Sequence, residues 1–268
     1  IIAGPPCKGF SLIRVSRRNP EDERNTLFEE VVRALRIISP DLLIMENVPG
    51  LLSMDTPEGD SVKDVILKRI KKEGYNCKMT KILASDFEVP QDRERIFFIA
   101  HKNKEIDFPD IIEDKNTVKD AIGNIPNPEK DYCKEPQTEY QEKMTREDRK
   151  LYNHKGVNHS DRVIERMKYI PQGGNWRDIP EEENDLNCKY SNAYKRLNLD
   201  KPSITITNSM IIHPNENRKI SVREMARLQS FPDDFVFKGS KSHQSQQIIN
   251  AVPPLLAYHL AKYYKDYI

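Results

Sequence analysis

Charge of one sign is missing from this 268-residue chain: 43 Lys and Arg against 42 Asp and Glu leave a formal +1. No global basic signature marks a nucleic-acid binder, so any such site is a local patch. Long apolar runs are also missing, and none approaches the ~20 residues of a membrane span. Cysteine is scarce. None of Cys7, Cys77, Cys133 and Cys188 belongs to a CxxC pair, which argues against a zinc site. Four well-spaced cysteines suit a reducing, cytoplasmic compartment better than a disulfide framework. There are no internal repeats or low-complexity tracts. What remains is a polar, globular composition, 37% hydrophobic and 32% charged, long enough for one large domain or two modest ones.

The chain opens on "IIAGPPCKGF", without a methionine and inside what reads as the end of a buried strand. Strand and helix then alternate through residues 1–100. Leu27, Val31, Leu35 and Ile38 follow helical spacing, and residues 41–45 form a short apolar strand. Val62, Val65, Ile66 and Ile70 mark a second helix with Gly74 at its end. Residues 77–83 and 95–100 read as two more strands. This order predicts an α/β fold with a mostly parallel, doubly wound sheet. Residues 101–160 are polar and weakly periodic, so a boundary is expected near Lys102. Further on, the spacing predicts a short helix capped by Ser160 and a turn-rich "IPQGGNW". It also predicts strand alternation in "SITITNSMII" and a helix behind the capping box Ser221/Glu224. A last helix is opened by proline, with Leu256, Leu260 and Tyr263 along one side.

Cys7 follows one strand and Glu46 the next, with a helix between them. The two strands should therefore be parallel and end at the same sheet edge, where open α/β sheets bind ligands. Pro5 and Pro6 fix the backbone ahead of the thiol. A thiolate needs help to form near neutral pH, and no histidine lies nearby in sequence. In "QDRERIFFIA", alternation puts Gln91, Arg93 and Arg95 on one face, and two arginines together suit a phosphate or a polarised carbonyl. Taken singly, each residue has a plainer reading: a small buried hydrophobe for the cysteine, a solvated side chain for the glutamate, a charged surface for the alternation. His154 and His159, five apart with no third partner, read as solvated or capping histidines, and no metal is expected.

In combination, "GPPCKGFS", "RNTLF", "MENVPGL", "QDRERIFFIA", "HPNENRKISVREMARLQSFPDDFVF" and "INAVPP", in this order, resemble the DNA cytosine-5 methyltransferase family. The resemblance implies a Rossmann-like, S-adenosylmethionine-dependent fold with a smaller, mixed target-recognition domain. It assigns residues 1–101 to the catalytic domain and 102–217 to target recognition, with 218–268 returning to the catalytic domain. It implies that Cys7 adds to C6 of a cytosine flipped out of duplex DNA and that Glu46 contacts N3 and the exocyclic amine. Arg93 and Arg95 would organise the site. S-adenosylmethionine would be lined by Pro6, Leu27, Asn250, Ala251 and Val252, although Ile249 stands where the family usually has glycine. Residues 8–24 resemble a mobile loop that closes over DNA. Contacts to DNA are expected from Ser11, Arg14, Arg17, Arg18, Arg24, Gln91, Arg218, Arg223 and Arg227.

The family's glycine-rich FxGxG turn, which precedes the cysteine and carries much of the cofactor pocket, is not in this sequence. The expectation is a carboxyl-terminal part of a larger enzyme of a bacterial restriction–modification system, or one half of a split methyltransferase that needs a complementary amino-terminal chain. An uncovered sheet edge would then favour self-association. Two other readings stay open: a related RNA (tRNA) cytosine-5 methyltransferase, and a catalytically silent DNA-binding subunit.

Overall fold

The computed structural model describes residues 1–6, 27–56, 59–184, 186, 188 and 192–268. The chain divides into two compact units, the first made of Ile1–Leu83, Glu94–Asp110 and His259–Ile268, the second of Ala84–Arg93 and Ile111–Tyr258.

In chain order the strands are β1 (Ile2–Ala3), β2 (Leu42–Asn47), β3 (Asn76–Leu83), β4 (Gln91–Asp92), β5 (Glu94–His101), β6 (Lys195–Arg196), β7 (Ser203–Ile204) and β8 (Ile211–Ile212). The α-helices are α1 (Phe28–Ile38), α2 (Val62–Lys72), α3 (Val118–Ile122), α4 (Glu139–Met144), α5 (Asp161–Lys168), α6 (Val222–Leu228), α7 (Lys241–Asn250) and α8 (Pro254–Tyr264).

The first unit is built on a four-stranded sheet in the order β1-β2-β5-β3. β1 and β2 are parallel, with Ile2 opposite Ile44 and Ala3 opposite Met45. β5 runs antiparallel to both β2 and β3. The α/β class stands, but the described sheet is mixed where a mostly parallel one was expected. The reason lies in the connection from β3 to β5. It is too short for a helical crossover, and a chain that returns without one must return antiparallel.

Helices α1 and α2 cover one face of this sheet. Phe28, Val32 and Leu35 of α1 and Ile66 and Ile70 of α2 pack against Leu43, Met45, Ile96, Phe98 and Ala100. Of the expected stripe, Leu35 is buried and Val31 packs partly against this core, while Phe28 and Val32 are buried beside them and Ile38 is exposed. Gly74, at φ +89°, ends α2 in a conformation that side chains resist. Along α8, Leu256, Leu260 and Tyr264 are buried, with Tyr264 in place of the expected Tyr263.

The second unit is mostly helix and irregular chain around a main apolar core, which includes Val118, Ile122, Tyr140, Ile206, Ile211, Met225, Leu228 and Ile248, with a smaller cluster of Met167, Ile170, Ile179 and Ile212. Its strands are short parallel pairs, β4 with β7 and β6 with β8. The alternation in "SITITNSMII" therefore yields two separate two-residue strands. α3 and α4 arise in the stretch that looked aperiodic. They are too short to print a periodicity, yet each begins at a threonine whose side chain accepts a backbone N–H, from Asp120 and Gln141 respectively. α6 carries the expected capping box, with Ser221 and Glu224 bonding each other's backbone N–H groups.

Candidate active site

In the sheet unit the functional side chains follow from register. Glu46 stands opposite Phe97 and Asn47 opposite Ile96, so Arg95 is the diagonal neighbour of Glu46 on the same face, within reach of a long side chain. Arg95 Nε meets Glu46 Oε1 at 2.8 Å, with the two side chains 12% and 20% exposed. Burial pushes the Arg95 guanidinium below its ordinary value, and the neighbouring Glu46 charge opposes that shift. Glu46 lies within β2, not beyond its end as the sequence reading had it. Just past the adjacent parallel strand β1, a side chain added at Gly4 would lie 3.8 Å from Glu46 Oε2. The chain leading toward Cys7 therefore passes beside the carboxylate, and the expected common edge of two parallel strands is present.

Cys7 itself lies outside the described residues, as do Ser11, Arg14, Arg17, Arg18 and Arg24. Two other cysteines, Cys77 and Cys133, make poor nucleophiles. Burial raises the Cys77 thiol to about 12 and pushes Cys133 upward as well.

The sequence reading put Gln91, Arg93 and Arg95 on one face. They separate because the chain changes sheets there: Gln91 belongs to β4, and β5 begins at Glu94. Gln91 is wholly buried. It donates to Gln229 Oε1 at 2.5 Å and accepts from the Ile206 N–H at 3.0 Å, so it is not a DNA contact. Arg93, 1% exposed, donates through Nη2 to the carbonyls of Ile249 at 2.6 Å and Ala251 at 3.3 Å. It braces the turn that contains three of the expected cofactor residues. Within that turn Asn250 is exposed, and Ala251 and Val252 are half-buried. In the other unit Leu27 is half-buried and Pro6 exposed.

Three further expected DNA contacts are corrected. Arg223 and Arg227 are completely buried. Arg227 clasps Asp233 through Nε and Nη2, both at 2.7 Å. Arg223 donates to the carbonyls of Tyr152, Pro232 and Phe235. Arg218 grips Glu224 through two nitrogens at 2.8 and 2.7 Å and also pairs with Glu216. Guanidinium donors consumed this way cannot also meet a phosphate. The signal was legible in "VREMARLQSFPDD": arginines four apart on a short helix, with acids close behind, fit an internal clasp as well as a surface.

His154 is bonded at both ring nitrogens, to Ser221 Oγ at 2.8 Å and the Pro126 carbonyl at 2.9 Å. His159 Nε2 accepts from the Lys219 N–H. Residues that sequence reasoning passed over include Gln229 and Asp233, both wholly buried.

The model of the C-5 cytosine-specific DNA methylase family matches residues 1–266. The Type II methyltransferase M1.HphI of Haemophilus parahaemolyticus is 39% identical over 98% of this chain and 67% of its own length. M.DdeI of Desulfomicrobium norvegicum is 37% identical over 98% of this chain and 71% of its own. Among solved structures, a prophage-encoded Escherichia coli chain assigned as a DNA modification methyltransferase superposes with a TM-score of 0.76 at 27% identity, covering 99% of this chain and 78% of that one. The Entamoeba histolytica methyltransferase EhMeth, at 16% identity and a TM-score of 0.62, covers 99% of this chain and shares the fold. A family match over nearly every residue, joined to a Glu46–Arg95 pair across antiparallel strands, leaves one conclusion: this chain belongs to the DNA cytosine-5 methyltransferase family.

Proposed function

We propose that the chain methylates C5 of a flipped-out cytosine in duplex DNA, through a transient bond between the Cys7 sulfur and C6, as part of a bacterial restriction–modification system. The observation that carries this reading is the Glu46–Arg95 pair. Arg95 fixes the direction of a partly open carboxylate beside the backbone that leads to Cys7. A carboxyl group so held can accept from the exocyclic amine through one oxygen and, carrying a proton, donate to N3 through the other. That draws electrons from the ring and makes C6 a better target for the Cys7 thiolate. The S–C6 bond forms as electron density moves to C5. Once C5 has used that density to take a methyl group, a base removes the C5 proton, its electron pair re-forms the C5–C6 double bond, and the S–C6 bond breaks. A target inside the helix cannot reach these groups, so the base leaves the stack first.

S-adenosylmethionine, when bound, supplies the methyl group that C5 receives. In the second unit half-buried Val252 offers apolar surface and Asn250 an exposed side-chain amide, which suits a nucleoside. Pro6, Leu27, Asn250, Ala251 and Val252 would hold it. Target recognition belongs to residues 102–217, and DNA contact to the segment bearing Ser11, Arg14, Arg17, Arg18 and Arg24.

The test is covalent trapping on duplexes containing 5-fluorocytosine with S-adenosylmethionine. It is run on the chain alone and on the chain mixed with the amino-terminal portion of a relative. An adduct mapped to Cys7 that disappears in Cys7→Ala is expected in at least one arm. Absence of an adduct in both, or an adduct only on a tRNA substrate, would overturn the reading.

A further inference from the structure

Two buried primary amides in the second unit have no part in the chemistry above. The Ile206 N–H donates to Gln91 Oε1 at 3.0 Å. Gln91 Nε2 donates to Gln229 Oε1 at 2.5 Å and to the Leu228 carbonyl at 3.2 Å. Gln229 Nε2 donates to the Ala251 carbonyl at 2.7 Å. A side-chain amide can ordinarily be turned end for end, because its oxygen and nitrogen are alike in shape. These two cannot. The chain of bonds starts at a backbone N–H, which only donates, and finishes at a backbone carbonyl, which only accepts. Every amide between must then point the same way, and each bond polarises the next.

The four segments joined this way are far apart in sequence. They are the stretch before Arg93, the end of α6, the Ile206 backbone and the turn after α7. Arg93 grips that same turn at the carbonyls of Ile249 and Ala251, so loss of the glutamine would loosen the turn without melting it. We propose that Gln229 is a positioning residue for the methyl donor. It holds the Ala251 carbonyl, and so the 250–252 turn, in the place that donor binding requires, and through Gln91 it ties that turn to Ile206. The inference rests on the reading of residues 250–252 as part of the donor site.

Gln229→Met keeps the length and removes both polar ends. Gln229→Glu keeps the shape but sets a carboxylate oxygen against the Ala251 carbonyl. Both variants are measured beside the unaltered chain, with Val252→Ala to probe the donor site and Gln247→Ala as a control on exposed α7. Amide hydrogen exchange at Ala251 and Ile206 should quicken about tenfold in the Gln229 variants, with exchange in β5 unchanged. Equilibrium dialysis should give a Kd for S-adenosylmethionine about tenfold weaker. The apparent KM should rise to match while kcat stays within about twofold, and Glu should be worse than Met.

Unchanged exchange at Ala251 and Ile206 would overturn the clamp. Faster exchange with an unchanged Kd, or a fall in kcat and stability with KM intact, would make Gln229 a core residue only. If Val252→Ala also leaves the Kd unchanged, or if no form binds the donor even when mixed with the amino-terminal portion of a relative, the reading of 250–252 fails and takes the role assigned to Gln229 with it. The exchange data would then still report separately on whether Gln229 holds the turn.

Discussion

Arg95 meets Glu46 with both side chains partly open to solvent, whereas Arg227 meets Asp233 through two nitrogens with both fully enclosed. The same pair of chemical groups serves different ends in the two units. In the second unit, Arg227 spends its remaining donors on the Ala121 carbonyl, Asn124 Oδ1 and Thr145 Oγ1, joining α3, the end of α4 and α6. An ion pair so enclosed and so fully bonded is architecture. In the first unit, exposure lets an outside group reach the carboxylate. Exposure, more than the presence of charge, separates the residue proposed to act from the residue that supports.

The sharpest way to break this comparison is to neutralise each pair in turn. Glu46→Gln keeps shape and should lower kcat/KM by roughly 10²–10⁴-fold, with the thermal midpoint little changed. An equal loss of stability would mean that the first pair is architectural too. Arg227→Met leaves Asp233 buried beside fewer donors and should cost about 3–5 kcal/mol of folding free energy in urea titrations. A variant of wild-type stability with weakened DNA binding would restore Arg227 to the interface.

The smallest effect concerns pH. Burial lowers the His154 pKa from 6.5, against the pull of Glu224 and alongside the push of Arg218 and Arg223; His154 also faces Ser221 and the Pro126 carbonyl. The folded state then binds fewer protons than the unfolded one. Stability is full above about 6.5 and falls as pH drops through and below that value. His213 shifts the same way by burial. Glu224 is lowered by its bonds to Arg218 despite its burial, so its contribution is also lost on acidification. The thermal midpoint should fall between pH 7.5 and 5.5, and less steeply in His154→Gln. An unchanged slope would remove His154 from the account.

Much of the first unit was legible in the sequence because its helices and strands are long enough to print a period. The α1 stripe was caught at Leu35 and in part at Val31, while Val32, which fits the pattern about equally, is the more buried of the two valines. The site residues Glu46 and Arg95 were legible as motif members, but their pairing was not. It depends on antiparallel register between β2 and β5, which no local pattern encodes. In the second unit, arginine was read as surface by default. Arg218, Arg223 and Arg227 became internal because acids and carbonyls from distant segments converge on them. Gln91 and Gln229 went inward for the same reason, each finding backbone partners from elsewhere in the chain.

Every residue of α6 from Val222 to Leu228 is buried. Ordinary helices keep one face in water, where substitutions accumulate at little cost. This one has no such face. Recognition segments exchanged between relatives to change target preference would therefore do best to end before Ser221, and drift along this stretch should be slow and without the usual helical rhythm.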